Sequence, residues 1–582
     1  MVFLSSDRLN AGLLARFARR QFAPNRYDLI ALVLIGAVAV LVVHGAQQMS
    51  LPVAHLQTEP VVLDPARLPE YALRSTLRMF AAILLSLSFT FVVATLAAKN
   101  RKAELVIVPM LDICQSIPIM AFLAFTLTFF INLFPTSELG AECAAIFLVF
   151  TSQAWNMAFS FYQSLRTLPV DLVEVSQQFH LSPWRKFWKL ELPFATPALV
   201  WNTMMSMSGG WFFVVASEFF TVGKTQVTLP GIGSWLAVAI ERQDFVAVSW
   251  AVGAMAVVIV SYDQLVFRPI VAWADKFRFE QTASENQPES WFYDLLRRTR
   301  LFGRIGRPFV GLLSMLPRPR PIVRRAPRVL GPEAARWFDR LWYALVAVVG
   351  VGAVWTIFSY LSANLKLYDL VHAFGLGLIT LFRVLMLIVI ASLIWVPLGV
   401  WIGLRPVWSR RIQPVAQFLA AFPANVIFPF AVMGIVAWRL NPNIWLSPLI
   451  ILGTQWYILF NVVAGASALP NDLKEAAGIF HLRSWQRWRD FILPGIFPYY
   501  VTGALTASGG SWNASVVAEV VSWGHTRLEA AGLGAFIAKA SDAGDFPRVA
   551  LGATVMSFFV ITLNRTVWRP MYAYAEKNLL LN

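Results

Sequence analysis

Long apolar runs alternate with short polar, basic or proline-bearing segments throughout this chain. Runs such as Ile30–Val43 and Val246–Val260 extend into stretches able to cross about 30 Å of hydrocarbon. The pattern predicts six helical spans in each half. In the first half they fall at roughly 28–46, 72–98, 106–133, 141–163, 196–222 and 246–267. In the second they fall at roughly 338–361, 374–403, 413–437, 443–467, 497–523 and 547–568. The expected fold class is an all-α polytopic membrane protein. Its two homologous six-helix halves (about 12 transmembrane helices) are related by a pseudo-two-fold axis.

The polar segments show that the halves are copies. Asp171, Glu174, Phe179, His180, Leu181, Trp184, Leu192, Pro193 and Pro197 recur 301 positions later as Asp472, Glu475, Phe480, His481, Leu482, Trp485, Leu493, Pro494 and Pro498. At the same offset Trp155, Trp211, Glu218, Gly231, Gly233 and Asp244 recur as Trp456, Trp512, Glu519, Gly532, Gly534 and Asp545. Nearer the start of each half the offset is 305, pairing Arg78, Pro109 and Pro118 with Arg383, Pro414 and Pro423. The change places about four extra residues of the first copy in the loop near Phe134–Gly140. Internal symmetry of this kind is a common construction in transporters. The repeat divides the chain into a first half (1–277), a basic linker (278–336) and a second half (337–582).

Composition supports the membrane reading: 58% of the residues are hydrophobic, against the roughly 45–50% usual in soluble domains. The net charge of +16 would suggest nucleic acid in a soluble protein. Here the basic residues sit beside the spans, which points to topology and anionic lipid and away from nucleic acid. Cys114 and Cys143 both lie in apolar stretches and form neither a metal motif nor a disulfide framework. The basic run Arg8–Arg26 precedes the first span, which shows no small-residue cleavage site and reads as a retained helix.

Lys and Arg set the orientation. Lys99, Arg101 and Lys102, then Arg185, Lys186 and Lys189, lie on one side, as do Arg405, Arg410, Arg411, Arg483, Arg487 and Arg489 in the second half. The positive-inside rule puts both termini and both repeated polar segments in the cytoplasm. In the linker, Trp291–Leu316 suits a helix lying on an anionic membrane face or a solvated tether, and Pro317–Pro332 reads as extended.

Each repeated segment predicts two short helices meeting at His180 or His481. Pro470 starts a helix, with Asp472 in the first turn where a carboxylate favours the dipole. Pro193 and Pro494 are expected to stop the second helix. The line Glu475-Ala476-Ala477, followed at the right distance by Leu493-Pro494, resembles the cytoplasmic loop of ABC-importer permeases. The first copy reads Glu174-Val175-Ser176 and ends in Leu192-Pro193. The glycine usual at the corner is replaced by His180 and His481. Histidine is among the non-glycine residues enriched at positive φ, so the corner is expected to survive.

The resemblance implies a type I ABC importer transmembrane fold in a bacterial inner membrane. It implies docking of the two segments on two ATPase subunits, through Asp171, Glu174, His180, Leu181 and Trp184 and through Asp472, Glu475, Ala476, Ala477, His481, Leu482 and Trp485. It also implies a periplasmic substrate-binding protein. ATP and Mg belong to the partner ATPases, and this chain, not itself an enzyme, binds no cofactor. Gly223-Lys224-Thr225 ends like a phosphate-binding loop, but Glu218 stands where the motif needs glycine.

Inside the spans, Trp211 and Glu218, like Trp512 and Glu519, are seven apart and share a helix face. A charge well inside a bilayer costs about 2.5–3.5 kcal/mol, so both glutamates are expected to face protein or water, as gate, packing or pathway residues. Arg78 and Arg383 open their spans as partners of carboxylates or headgroups, or as attractors of an anion. Trp155 and Trp456 line the pathway or pack. The Trp-x6-Glu pattern and the segments Gly231-Ile232-Gly233 and Gly532-Leu533-Gly534 look like the nitrate, taurine, sulfonate and bicarbonate branch of these permeases. That branch implies a small anion or organic solute. A secondary transporter or a non-transporting scaffold or sensor would share the repeat but would not move solute with ATP.

Overall fold

The computed structural model describes residues 61–134, 137–222, 225–277, 290–299, 332–469 and 484–578, with isolated positions elsewhere. The expected span at 28–46, most of the linker, and Asp472, Ala476, Ala477, His481 and Leu482 lie outside the described residues.

In the first half the order is α1 (Leu68–Lys99), α2 (Arg101–Ser116), α3 (Ile119–Leu133), α4 (Leu139–Arg166), α5 (Val170–Gln178), α6 (Leu192–Glu218), β1 (Phe219–Val222), β2 (Thr225–Thr228), α7 (Ile232–Glu241) and α8 (Phe245–Tyr262). The second half repeats it as α9 (Pro332–Asn364), α10 (Leu367–Gly403), α11 (Pro406–Ala421), α12 (Phe428–Ala437), α13 (Gln455–Ser467), α14 (Leu493–Ala518), β3 (Val520–Trp523), β4 (Thr526–Glu529), α15 (Leu533–Ala543) and α16 (Phe546–Leu563). Among the described residues six helices are long and apolar enough to cross a membrane, or eight if each bent pair counts as one span. The fifth spans, α6 and α14, are 27 and 26 residues long.

Proline explains the bends. Ile117 (ψ 131°) and Phe422 (ψ 125°), each followed by proline, are held extended and split the third span of each half. In the second half the two segments meet at 77°. Pro193 and Pro494 act differently from expectation. They do not stop the helix: π-helical turns at Phe187–Glu191 and Trp488–Ile492 run straight into α6 and α14. A wider turn absorbs the missing N–H and the ring clash that would break a regular helix.

A second difference is at the C-terminal ends of the fifth spans. The chain predicted to be helical to 222 and 523 leaves the helix after Glu218 and Ala518 and forms antiparallel hairpins, β1–β2 and β3–β4. Phe-Phe-Thr-Val and Val-Val-Ser-Trp are β-branched and aromatic, which suits a strand as well as a span.

The chain divides into two compact units that cut across the repeat. One comprises 1–47, 167–201 and 261–341 and holds α5 and the helix Trp291–Arg298. In it Trp291 donates to Gln264 and the Lys276 ammonium lies 5.1 Å from the Tyr293 ring. The other, 48–166, 202–260 and 342–582, contains the main core. There Met205 packs with Ile402, Ala416, Leu459 and Val463 from the second sequence half. Asp339–Asn364 within α9 carries apolar side chains on an exposed surface, as a helix facing lipid does.

Candidate functional site

The hairpins double the chain back over the end of each fifth span. Leu229 N–H donates to the Glu218 carbonyl at 2.8 Å and Ala530 N–H to the Glu519 carbonyl at 2.9 Å. This lays the Gly-x-Gly segments against the two glutamates. Gly231 and Gly532 are extended (φ −179° and −177°), so their role is space and not unusual backbone. A Cβ on Gly231 would stand 2.3 Å from Glu218 Oε2, and one on Gly532 would stand 2.2 Å from Glu519 Oε2. Gly233 N–H donates to Glu218 Oε2 at 2.6 Å, and Ala535 N–H to Glu519 Oε2 at 3.0 Å. Each carboxylate therefore sits at the positive end of a short helix, α7 or α15.

An arginine closes each knot. Arg78 Nη1 donates to Glu218 Oε1 at 2.7 Å, and Arg383 Nη1 to Glu519 Oε1 at 2.6 Å. Both also donate to the loop carbonyl before the first glycine, Pro230 at 2.9 Å and Ala531 at 3.1 Å. Ser75 and Thr380 complete the match, each accepting the N–H between the glycines, at 3.0 and 2.9 Å. The insertion cost of each charge is offset by pairing and hydrogen bonding, as burial of ions requires.

The knots differ in charge at one position. Arg78 also holds Glu142 through Nε and Nη2, at 2.5 and 2.6 Å. At the matched position Asn443 offers its carbonyl to Arg383 at 3.4 Å and its side chain to Ala531 N–H at 2.7 Å. The first knot thus contains one cation and two carboxylates, and the second contains one of each. Sequence reasoning missed Glu142, Ser75, Thr380 and Asn443. Its available signal was a lone carboxylate in the first turn of a predicted span.

A cavity opens in the larger unit, with ≈ 1050 Å³ of empty space counted together with the solvent it opens to. Matched residues of the two sequence halves face it together: Gly209 with Gly510, Asn156 with Tyr457, and Phe212 with Asn513. Pro118 breaks the third span beside it, and Asn513 Oδ1 accepts the freed Ile119 N–H at 2.8 Å. Among the described residues no Asp, Glu, Lys, Arg or His lines this cavity. Of the predicted pathway residues Trp155 lines it. Trp456 packs on Trp395 at 5.2 Å, Trp512 stacks on Phe559 at 6.1 Å, and Trp211 is buried in the core. Arg78, Arg383, Glu218 and Glu519 are in the knots, away from the lining.

At the first polar corner, α5 starts after Pro169 with Asp171 in its first turn. His180 adopts φ +48°, the left-handed conformation that the corner demands. Leu181 N–H reaches back to the Ser176 carbonyl at 3.0 Å and closes the helix end. Phe179 and Trp184 are exposed, as are Phe480 and Trp485 in the second copy, and Trp184 packs edge-on with Trp188. Glu174 and Glu475 are exposed too.

Comparison with known proteins agrees with this architecture. Residues 70–268 and 395–567 each match the family described as binding-protein-dependent transport system inner membrane component. The bicarbonate transport system permease protein CmpB of Synechococcus elongatus is 27% identical over 222 residues, covering 34% of this chain and 77% of that relative. The nitrate import permease protein NrtB of Leptolyngbya laminosa is 27% identical over 177 residues, 30% of this chain and 60% of that relative. The glycine betaine/carnitine transport permease protein GbuB of Listeria monocytogenes is 28% identical over 166 residues, 28% of this chain and 52% of that relative. With two matched regions, one in each half of an internally repeated helical chain, this protein belongs to the inner membrane components of binding-protein-dependent transport systems and carries two permease units in one polypeptide.

Proposed function

We propose that this chain supplies both transmembrane halves of an ATP-driven importer for a small anion or organic solute, with bicarbonate and nitrate the first candidates. The observation that carries this reading is the cavity faced by matched residues of both halves. The names of the relatives support the solute class. A lining of amides and hydroxyls set among aromatic and aliphatic side chains suits a solute that must be released after it is held, since a pathway site must bind weakly enough to let go.

In this reading two ATPase subunits dock on the cytoplasmic corners and hydrolyse ATP with Mg. A substrate-binding protein delivers solute on the periplasmic side of the inner membrane, and both termini are cytoplasmic. The exposed aromatic residues at Phe179, Trp184, Phe480 and Trp485 support docking. Aromatic side chains offer large contact area at low entropy cost. Neither knot belongs to the solute route. They brace the ends of the fifth spans at Glu218 and Glu519.

The test is reconstitution of the chain with its ATPase and binding protein in proteoliposomes. ATP-dependent uptake of radiolabelled bicarbonate or nitrate is expected. The double variant Glu174→Arg/Glu475→Arg should lose uptake and stimulated ATP hydrolysis while the membrane chain still purifies as a folded protein. Uptake that persists without any ATPase would make the protein a secondary transporter. ATPase binding with no uptake of any solute would make it a scaffold.

A further inference from the structure

The cavity continues into a polar track on one side only. Asn156 Nδ2 donates to Ser206 Oγ at 3.1 Å and to Asn202 Oδ1 at 3.4 Å. Asn202 Nδ2 in turn donates to Ser160 Oγ at 2.7 Å. Asn156 and Ser206 line the cavity. Asn202 and Ser160 lie four residues away on α6 and α4, about 6 Å along each helix, toward the ends joined by the first corner. The four side chains make a ladder of neutral donors and acceptors that begins in the cavity and runs along α4 toward its C-terminal end. Asn156, Asn202 and Ser160 are only half-buried.

The second half has no such ladder. At the positions matched to Asn156, Ser206, Asn202 and Ser160 stand Tyr457, Ala507, Gly503 and Asn461. Asn461 Nδ2 is turned to the Tyr457 carbonyl of its own helix, 2.8 Å away. A Cβ on Gly503 would meet the Tyr457 carbonyl oxygen at 2.7 Å. Thus α13 and α14 approach backbone to backbone, as small residues permit. Between α4 and α6 the same space is filled by amides and hydroxyls. Polar side chains inside a membrane bundle either join helices or mark a route, and this set opens into the cavity.

We propose that the solute route is one-sided, running along the Ser206–Asn156–Asn202–Ser160 ladder of the first half while the second half forms a closed wall. This inference rests on the importer reading above. The solute it fits is small and rich in hydrogen-bond acceptors, an oxyanion in kind, handed between neutral amides and hydroxyls. Among the described residues no full countercharge stands along the ladder to trap it.

Single cysteines at Asn156, Ser206 and Asn202, and at Asn461 and Ala507, which do not line the cavity, in a chain with Cys114 and Cys143 replaced by serine, test the route. The probe is a small sulfonate-bearing thiosulfonate reagent applied to the assembled complex, resting and hydrolysing ATP. The first-half thiols should react at least about tenfold faster than the second-half pair, because the thiolate forms only where water reaches it. Equal rates in both halves, or inert thiols along the ladder, would overturn the proposal. A second measurement separates a route from a helix clasp. Asn156→Leu should cut uptake about tenfold while assembly and ATP hydrolysis persist, and loss of all three together would instead make the ladder structural. Labelling does not depend on which solute is carried. Absence of bicarbonate and nitrate uptake by the wild-type complex would therefore remove the substrate reading, while the labelling ratio still decides the route.

Discussion

Removing the arginine from each knot in turn is expected to expose their one difference. In the second half, Arg383→Met leaves Glu519 buried at 1% exposure with only Thr380 and the Ala535 N–H for partners. Breaking a buried ion pair from one side costs about 3–5 kcal/mol. Adding Glu519→Gln removes the stranded charge and keeps an oxygen for the Ala535 N–H. The double variant should therefore return to within about 1–2 kcal/mol of the parent. The first half should behave differently. Arg78→Met strands Glu142 and Glu218, whose side chains are 1% and 0% exposed, and their mutual repulsion adds to the loss. Its penalty should exceed about 5 kcal/mol. Arg78→Met/Glu218→Gln should not recover, because Glu142 remains buried without its arginine; recovery needs Glu142→Gln as well. The assay is denaturant unfolding of the detergent-solubilised chain followed by tryptophan fluorescence, which its 23 tryptophans make sensitive. The reasoning is refuted if the two double variants recover equally, or if Arg383→Met alone costs under about 1 kcal/mol.

The other expectations are smaller or more local. Gly532→Ala drives a methyl into the Glu519 carboxylate and should cost about 1–3 kcal/mol in the same unfolding assay, whereas Gly253→Ala, with no atom within 4 Å of the added Cβ, should be near neutral. His180→Gly should leave the first corner intact, while His180→Val, forced to positive φ, should cost about 1–2 kcal/mol and raise cleavage at that corner in limited proteolysis. The pair Arg569–Asp112 is exposed, at 55% and 26%, so Asp112→Asn should change stability by no more than about 1 kcal/mol if that surface meets water, and by more if it meets lipid.

Much of this arrangement is legible in the linear chain. Hydrophobic runs locate the spans, because crossing hydrocarbon demands length and apolarity whatever the neighbours. The 301-residue repeat pairs the halves, whereas the third spans, expected unbroken at 106–133 and 413–437, are split beside Pro118 and Pro423, whose local sterics carried the signal. The corner at His180 follows from its motif, since the need for a left-handed residue is local. Where a local rule failed, a neighbouring turn had compensated. Pro193 and Pro494 looked like stops, yet the π turns before them carry the helix through. Phe219–Val222 and Val520–Trp523 looked like the ends of spans, yet they fold as strands.

Tertiary structure alone decided what the conspicuous residues do. The sequence marked Glu218, Arg78 and the Gly-x-Gly segment as repeated, but nothing in their spacing tells that a hairpin brings Gly231 onto Glu218. Nor does spacing tell that Arg78, separated from Glu218 by 140 positions, meets that carboxylate. Glu142 and Asn443 took opposite characters at matched positions, and only contact with Arg78 and Arg383 gives that substitution meaning. The same holds for the ladder from Ser206 to Ser160. Its residues are ordinary polar positions along two helices until packing sets α4 against α6. Local patterns fix elements because backbone sterics and burial act within a few residues. A route or an ion knot depends on side chains far apart in the chain arriving at one place, and that is a property of the fold.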